Sequence, residues 1–139
     1  MNIDEVMSKD VATLNREDTV QNAAELMSKY NVGSVPVCNG EKVIGIITDR
    51  DIALRAVATG KNSANLKVSD IMTSNPVVAN TDMDIQDAAR IMSERQIRRL
   101  PVEDNGKISG IVALGDIAVD PNCSHEAQEA LSDISEQNN

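Results

Sequence analysis

The fold is decided by a stretch of sequence that occurs twice in the chain. Residues 35–53 have the sequence VPVCNGEKVIGIITDRDIA, and residues 100–118 have the sequence LPVEDNGKISGIVALGDIA. In both stretches Asn-Gly separates two apolar runs, and an aspartate follows the second run. Because Asn-Gly between apolar runs is a strong signal for a β-hairpin, each stretch predicts two antiparallel strands followed by the start of a helix.

The similarity extends outward from these hairpins without a gap, at a constant offset. The pair Ala23-Ala24, for example, corresponds to Ala88-Ala89 in the second half. Such self-similarity indicates two copies of one supersecondary unit, although two copies are too few for a solenoid. We place copy one at residues 1–62, copy two at residues 63–120 and a tail at residues 121–139, where a short helix with a frayed end is predicted.

Each copy contains an amphipathic helix upstream of its hairpin. Apolar residues recur at i, i+3, i+4 and i+7, beginning at Val20 in copy one and at Ile85 in copy two. This spacing places them on one helical face and predicts a helix at about residues 19–30, with an equivalent helix in copy two. The candidate N-caps are Asp18 or Thr19, and Asp82 or Asp84.

Short strands at residues 11–13 and 77–79 are predicted to precede these helices. Each copy then has the order strand, helix, strand, strand, helix (βαββα), and the fold class is α+β. One copy of about 60 residues leaves a face of its sheet poorly covered, so we expect the two copies to pack together with pseudo-two-fold symmetry. The prolines in the hairpins predict strand starts or edges.

Composition and charge argue against several classes of function. The 139 residues carry a net charge of -9, and Tyr30 is the sole aromatic residue. Negative charge repels nucleic acids, and the sequence offers no aromatic platform for stacking bases. There is no apolar run of the length that a membrane span needs, and the acidic N-terminus does not resemble a secretion signal. We therefore expect a cytoplasmic protein with no membrane and no nucleic-acid partner.

Cysteine and histidine content argues against metal binding and nucleophilic catalysis. Cys38 and Cys123 are the only cysteines, and His125 is the only histidine. Cys38 lies in an apolar run and is expected in the core, while Cys123 and His125 form no convincing metal cluster. Isolated thiols are typical of a reducing compartment, and we expect them not to be bonded to each other. No metal ligand and no catalytic residue is assigned, and an enzyme is not expected.

Taken together, these motifs resemble a known family. A βαββα unit containing Val-Pro-Val, a hairpin and Gly-Ile-Ile-Thr-Asp-Arg-Asp, followed by a second copy, is similar to a tandem pair of CBS domains, or Bateman module. The similarity covers residues 1 to about 120 and is closest to small stand-alone bacterial members. It implies a regulatory module that senses AMP, ADP, ATP or an S-adenosyl compound in a cleft between the motifs. It further implies a homodimer, a protein target not yet identified and no obligatory cofactor.

The resemblance implies ligand contacts where each hairpin meets the next helix. In the family pattern Thr-x-x-Asp supplies a hydroxyl and a carboxylate to ribose or phosphate, and Thr48 and Asp51 match it. The alternative is that Asp51 only caps the helix. Copy two keeps the carboxylate in Asp116 but has Ala113 at the threonine position. Its site therefore lacks one polar anchor.

Arginines distinguish copy two at a second position. Arg98 and Arg99 correspond to Gly33 and Ser34 of copy one. Family members often place a basic residue here to reach ligand phosphates, and guanidinium groups bind phosphate oxygens in pairs. The alternative is a solvated cationic corner that pairs with surface carboxylates. Because neighbouring residues alternate along a strand, only one of the two arginines is expected to face the ligand.

An adenine ring is expected among aliphatic side chains. The candidates are Val11, Val32, Val35 and Ile47, each of which also fits a plain core position. Asp49, Arg50 and Arg55 are interpreted as solvated. The competing function is a CBS dimer that binds no ligand and acts as a protein–protein interaction module. The altered copy-two motif favours that alternative, whereas the Thr-x-x-Asp motif and the arginines oppose it.

Overall fold

The chain divides into two compact units in a computed structural model that describes residues 1–118 and Ile134. One unit comprises residues 12–76 and contains the hairpin of copy one; we call it the copy-one unit. The other comprises residues 1–11 and the chain from residue 77 onward; we call it the copy-two unit. Each unit combines a sheet with helices, which confirms the α+β class. The face-to-face packing of the two copies stays a prediction.

The copy-one unit is built on a four-stranded sheet with the order β1-β2-β3-β4. Its strands are β1 (Leu14–Asn15), β2 (Ser34–Asn39), β3 (Lys42–Thr48) and β4 (Thr73–Ser74). β1 runs parallel to β2, whereas β3 is antiparallel to both β2 and β4. Its helices are α1 (Val20–Tyr30), α2 (Asp49–Ile52) with a π-helical continuation (Ala53–Val57), and α3 (Val68–Ile71).

The copy-two unit repeats this architecture with a three-stranded sheet. Its strands are β5 (Ala79–Asn80), β6 (Arg99–Asp104) and β7 (Lys107–Ala113). Its helices are a 3-10 turn (Ile3–Glu5), α4 (Ile85–Arg95) and α5 (Leu114–Ala118). β5 is parallel to β6, and β6 and β7 form the second hairpin. The predicted order of strand, helix, strand, strand and helix is therefore present in both copies.

A segment near the start of each copy pairs with the sheet that contains the hairpin of the other copy. Thr73, near the start of copy two, pairs with Ile46 on β3. At the corresponding positions, Ser8 pairs with Ile111 on β7. The sequence repeat and the compact units therefore do not share boundaries. As domain limits, residues 1–62 and 63–120 stay a prediction.

A glycine in each hairpin permits this close approach. A Cβ at Gly45 would lie 2.9 Å from the Thr73 carbonyl oxygen and 2.5 Å from Met72 Sδ. A Cβ at Gly110 would lie 2.8 Å from the Ser8 carbonyl oxygen. Both distances are shorter than van der Waals contact. A side chain at either glycine would therefore displace the segment that pairs with the hairpin. The crossing of two backbones is thus the physical reason for the repeated Gly-Ile.

The predicted position of the first strand is wrong. The prediction placed it at residues 11–13, whereas β1 is Leu14–Asn15 and pairs with Val37 and Cys38. Leu14 is buried, whereas Val11 is only half-buried, so the buried position lies three residues further along the chain. In copy two the prediction overlaps β5 only at Ala79. A two-residue strand has no periodicity of its own, and its place is set by its partner.

Both predicted helices are confirmed, and in each copy one of the two N-cap candidates caps the helix. Thr19 caps α1 by accepting a 3.1 Å hydrogen bond from the Asn22 N–H, and Asp84 caps α4 through Gln86. Val20, Ala23 and Met27 are buried, as predicted, but Ala24 is exposed. The apolar stripe of α1 is therefore narrower than its alanine pair indicates.

The prolines lie inside the hairpin strands rather than at their starts. Pro36 is the third residue of β2 and pairs with Ile46 on β3. On its other side β2 is in register with β1 only at Val37 and Cys38. Because β1 does not extend as far as Pro36, no strand needs the N–H that proline lacks on that side. At this residue β2 therefore behaves as an edge strand, in agreement with the prediction.

The tail at residues 121–139 lies outside the described residues, apart from Ile134. Ile134 is helical and buried in the aliphatic core of the copy-two unit, beside residues such as Ile3 and Leu100. Among residues 1–118, no helix is long and apolar enough to cross a membrane.

Candidate ligand sites

Thr48 and Asp51 form a reciprocal capping box at the start of α2. The Asp51 N–H donates to Thr48 Oγ1 at 3.0 Å, and the Thr48 N–H donates to Asp51 Oδ2 at 3.0 Å. Asp51 therefore caps the helix, and its contact with a ligand stays a prediction. The box uses one carboxylate oxygen and one lone pair of the hydroxyl. Asp51 Oδ1 and the hydroxyl hydrogen of Thr48 are not part of it.

The Asp51 carboxylate is buried. The residue is 9% exposed and is the one charged residue that is buried among those described. Its ion-pair partner is Arg55, whose Nε lies 3.9 Å from Asp51 Oδ1. That distance is too long for a hydrogen bond, so Oδ1 is only partly compensated. A half-compensated buried carboxylate requires an explanation, and a ligand donor is one.

Arg55 is exposed, in agreement with its interpretation as a solvated residue, but it also makes a contact that the sequence did not predict. Its Nη1 donates to the carbonyl oxygen of Ile71 at 3.1 Å. Ile71 ends α3, directly before the segment that pairs with β3. Arg55 therefore connects the Asp51 carboxylate with the first part of copy two. The i,i+4 spacing from Asp51 was the available sequence signal, but the contact with Ile71 is not local.

Copy two retains half of the capping box. The Ala113 N–H donates to Asp116 Oδ2 at 3.0 Å, which matches the bond between Thr48 and Asp51. Ala113 has no side-chain oxygen to accept from the Asp116 N–H. The carboxylate is thus held in the same place, but the hydroxyl anchor is missing, as the sequence predicts.

Arg99 lies next to this half-box. It pairs directly with Ala113 across β6 and β7, so both side chains project from the same face of the sheet. Arg98 precedes β6, and its carbonyl oxygen accepts from the Leu114 N–H at 2.8 Å. Arg99 is half-buried, whereas Arg98 is exposed. Within residues 1–118, the ion pairs do not include either arginine, so pairing with surface carboxylates is not observed.

The corresponding region of copy one has the same backbone and different side chains. Ser34 pairs with Thr48, and the Asp49 N–H donates to the Gly33 carbonyl oxygen at 2.9 Å. Asp49 Oδ2 lies 3.1 Å from the position that a Cβ on Gly33 would occupy. Asp49, interpreted from sequence as a solvated residue, therefore places a carboxylate beside the candidate site.

The aliphatic candidates are placed as follows. Val35 and Ile47 are at most 1% exposed and belong to the core of the copy-one unit, as their core interpretation predicts. Val32 is partly buried and packs against that core, while Val11 is half-buried at the end of the N-terminal segment. Contact of any of the four with an adenine stays a prediction.

Metal ligands do not cluster in the described part of the chain. Residues 1–118 contain no group of three or more His, Cys, Asp or Glu side chains that would hold a metal ion. Cys38 is buried, in agreement with its core interpretation. Cys123 and His125 lie outside the described residues, so the predictions about them are untested.

The duplicated βαββα fold and its paired Thr-Asp and Ala-Asp boxes define a class of two-repeat modules. The chain belongs to the CBS domain family, whose family model matches residues 3–57 and 68–119. Among curated proteins it is similar to the CBS domain-containing protein YhcV of Bacillus subtilis. The two are 43% identical over 136 residues, which cover 98% of this chain and 96% of YhcV.

Solved structures agree with this assignment. Hypoxic Response Protein I with two coordinated zinc ions has a TM-score of 0.79 and 27% identity, covering 85% of this chain and 97% of that one. A CBS domain protein from Pyrobaculum aerophilum, PAE2072, complexed with AMP, has a TM-score of 0.81 and 23% identity, covering 92% of this chain and 98% of that one. At this identity, the second similarity supports the fold alone.

Proposed function

We propose that the chain is a regulatory module that binds an adenosine-type ligand and signals its presence to a partner protein. The ligand classes are AMP, ADP, ATP and S-adenosyl compounds. Thr48 and Asp51 hold the ligand in copy one, and Asp116 with Arg98 and Arg99 holds it in copy two. The observation that carries the proposal is the buried Asp51 carboxylate, of which only one oxygen takes part in the capping box.

Burial is the feature that a simple helix cap does not require. A capping carboxylate on the protein surface keeps its hydration, whereas an ionised carboxylate removed from water is costly unless donors surround it. Asp51 Oδ1 faces Arg55 Nε at 3.9 Å. Two hydroxyl groups of a ribose supply the donors that this oxygen lacks, and the Thr48 hydroxyl adds a donor of its own.

The rest of the ligand follows from the same arrangement. A phosphate attached to the ribose of the copy-two ligand is a partner for one of the two arginines, Arg99 or Arg98. The adenine is proposed to contact aliphatic side chains, for which the candidates are Val11, Val32, Val35 and Ile47. AMP in the Pyrobaculum structure belongs to a protein of the same fold, and it suggests which ligands to test.

The same proposal assigns no catalytic activity to the chain. Thr48 and Asp51 are assigned to the capping box and to binding the ligand, and no catalytic residue is assigned. We therefore propose a sensor rather than an enzyme, with no obligatory cofactor. A cytoplasmic location and a homodimer belong to the same proposal.

One observation favours a second candidate function. The capping box gives Thr48 and Asp51 a structural role that needs no ligand, and Ala113 removes the hydroxyl from copy two. A CBS dimer that has lost ligand binding and acts only through protein contacts would retain these features. This alternative predicts that none of the adenosine compounds changes the stability of the protein.

Ligand binding is tested by thermal shift followed by calorimetry. AMP, ADP, ATP, NAD and S-adenosylmethionine are compared, since a ligand at 100 times its Kd stabilises the folded state by about 2.7 kcal/mol. The best ligand is then titrated into the wild type and into Asp51→Asn, which keeps an oxygen for the Thr48 N–H. We expect Asp51→Asn to weaken binding at the copy-one site at least about tenfold, since a charged hydrogen bond contributes about 1.5–3 kcal/mol.

The matched control is Asp104→Asn, which removes the same charge at the exposed turn of the other hairpin. It should leave the titration unchanged. Melting curves without ligand establish that both variants are folded. Absence of a shift with every compound in the wild type would refute the sensor and leave the interaction module.

A further inference from the structure

One arginine contacts both the candidate site of copy one and the backbone that leads to β4. Arg55 Nη1 donates to the carbonyl oxygen of Ile71 at 3.1 Å and lies 3.5 Å from that of Met72. Its Nε lies 3.9 Å from Asp51 Oδ1. Arg55 belongs to the π-helical segment Ala53–Val57, and such segments are frequent at functional sites. All of these atoms lie in the copy-one unit, so the connection is internal to that unit.

The strand that follows this contact is held to the sheet by few bonds. β4 has only two residues, both of them exposed, and it pairs with β3 over those two positions. Ile71, directly before it, is buried in the core of the copy-one unit. Short elements with exposed backbone bonds open more readily than core elements do. Arg55 therefore holds the chain at the point where it leaves the core and joins a weakly attached strand.

The carboxylate and the carbonyl oxygens compete for this guanidinium group. At 3.9 Å the Nε atom is too far from Asp51 Oδ1 for a hydrogen bond, whereas Nη1 does bond the Ile71 carbonyl oxygen. A carboxylate is the stronger acceptor, because a hydrogen bond between two charged groups is about twice as strong as one between neutral groups. Asp51 therefore attracts Arg55 away from the carbonyl oxygens unless other donors occupy Oδ1.

Resting on the proposed function, we infer that Arg55 is a positioning residue that couples occupation of the copy-one site to the attachment of β4. Ribose hydroxyl groups that donate to Asp51 Oδ1 replace Arg55 as its partner. The guanidinium then stays on the carbonyl oxygens of Ile71 and Met72, and β4 opens less often. Because coupling between two equilibria is reciprocal, an attached β4 also strengthens ligand binding.

The sequence of copy two restricts this coupling to copy one. At the constant offset of the repeat, Asp120 corresponds to Arg55, just as Asp116 corresponds to Asp51. An ionised carboxylate has no hydrogen to donate to a carbonyl oxygen. Asp120 lies outside the described residues, so this comparison rests on residue type alone. Copy two thus has a capping carboxylate without the arginine that would couple it to a neighbouring strand.

Hydrogen exchange of the whole chain, measured by mass spectrometry over residues 71–75, tests the coupling. The probes are the compounds of the thermal-shift panel that bind, beginning with AMP, because all of them carry the two ribose hydroxyl groups of adenosine. We expect a saturating probe to slow exchange in this segment at least about fivefold, the lower end of typical coupling between sites. In Arg55→Gln the probe should still bind, but the slowing should be lost.

This measurement distinguishes coupling from a purely structural role. If Arg55 only stabilised the fold, Arg55→Gln would speed exchange equally with and without the probe and would leave their ratio unchanged. Arg55→Lys keeps the charge but lacks the planar fork of donors, so it should also reduce the slowing. It provides a second variant if Arg55→Gln does not fold.

The matched control is Arg50→Gln, which removes the same charge from an exposed position of α2. It should leave the slowing by the probe unchanged. The inference is wrong, and the proposed function stands, if a probe binds the wild type without slowing exchange. The same holds if the slowing persists in Arg55→Gln and Arg55→Lys, or if these variants fold but no longer bind. If no compound of the panel binds the wild type, both are wrong.

Discussion

At the scale of single residues, the two copies differ most clearly at the threonine of the capping box. Thr48 accepts from the Asp51 N–H, whereas Ala113 leaves the Asp116 N–H without this acceptor. The second bond of the box, from the backbone to the aspartate, is present in both. The asymmetry of the capping box is therefore confined to one hydroxyl group and can be reversed by one substitution.

Ala113→Thr should complete the second box and stabilise the protein. An N-cap hydroxyl contributes about 0.5–2 kcal/mol, and Ala113 ends a β-strand, where threonine is well accommodated. Thr48→Ala should lower the free energy of unfolding by a similar amount. Urea denaturation of both variants and the wild type measures this. A destabilised Ala113→Thr would show that the half-buried position has no room for the added atoms.

At the scale of secondary structure, local patterns predicted the elements that have an internal period. The helices that begin at Val20 and Ile85 and the two hairpins were predicted correctly, because their apolar spacing and Asn-Gly turns are local signals. The position of β1 was wrong, and the pairing of the first segment of each copy with the sheet of the other copy was not predicted. Those features depend on contacts between residues far apart in sequence, such as Ser8 with Ile111.

For the candidate sites, too, the sequence predicted the local features and not the contacts between distant segments. The Thr-x-x-Asp spacing identified Thr48 and Asp51, and the repeat identified Asp116. The burial of Asp51 and the contact of Arg55 with Ile71 were not predictable, because the partner atoms come from another segment. Likewise, only the structure places the Asp49 carboxylate beside Gly33.

An ion pair connects the turn before α1 with the residue before α3. Lys67 Nζ lies 2.7 Å from Glu17 Oε2. The hydrogen bond with Lys67 and its positive charge lower the pKa of Glu17 below its ordinary value of 4.5. The same hydrogen bond and the negative charge of Glu17 raise the pKa of Lys67 above 10.5.

These shifts determine how the pair responds to pH. Because the Glu17 pKa is lower in the folded state, its contribution to stability is present above pH 4.5 and is lost as the pH falls through the folded pKa. Because the Lys67 pKa is higher in the folded state, the contribution of Lys67 to stability is present below pH 10.5. It is lost as the pH rises through the pKa of Lys67 in the folded state.

Glu17→Gln should therefore destabilise the protein slightly at neutral pH, and the difference from the wild type should shrink as the pH falls below 4.5 and through the lowered pKa of Glu17. Urea denaturation of the variant and the wild type over a series of decreasing pH values measures the difference. The pair is exposed, so added salt should also diminish it. A difference that does not shrink as the pH falls would mean that the Glu17 side chain contributes by packing rather than by charge.

At the scale of the whole molecule, apolar surface remains on the helical segment that follows the copy-one site. Leu54 and Val57 are 53% and 69% exposed, and they lie three positions apart on the π-helical segment. Ile117, on the corresponding helix of copy two, is fully buried, and Val119 lies outside the described residues. Copy one therefore exposes apolar side chains on this helical segment.

This surface is the basis for predicting a homodimer. Single exposed apolar residues are common on monomers, but two neighbours on one short segment favour burial against another surface. We expect light scattering at micromolar concentration to give twice the 15.0 kDa mass of one chain. Leu54→Glu should raise the dimer dissociation constant at least about tenfold, since burying a leucine side chain contributes about 1.5–3 kcal/mol and about 1.4 kcal/mol is tenfold.

The matched control is Thr13→Glu, which adds the same charge at an exposed site of the same unit. A monomeric wild type would contradict the dimer, whereas a dimer that tolerates Leu54→Glu would show that the interface lies elsewhere.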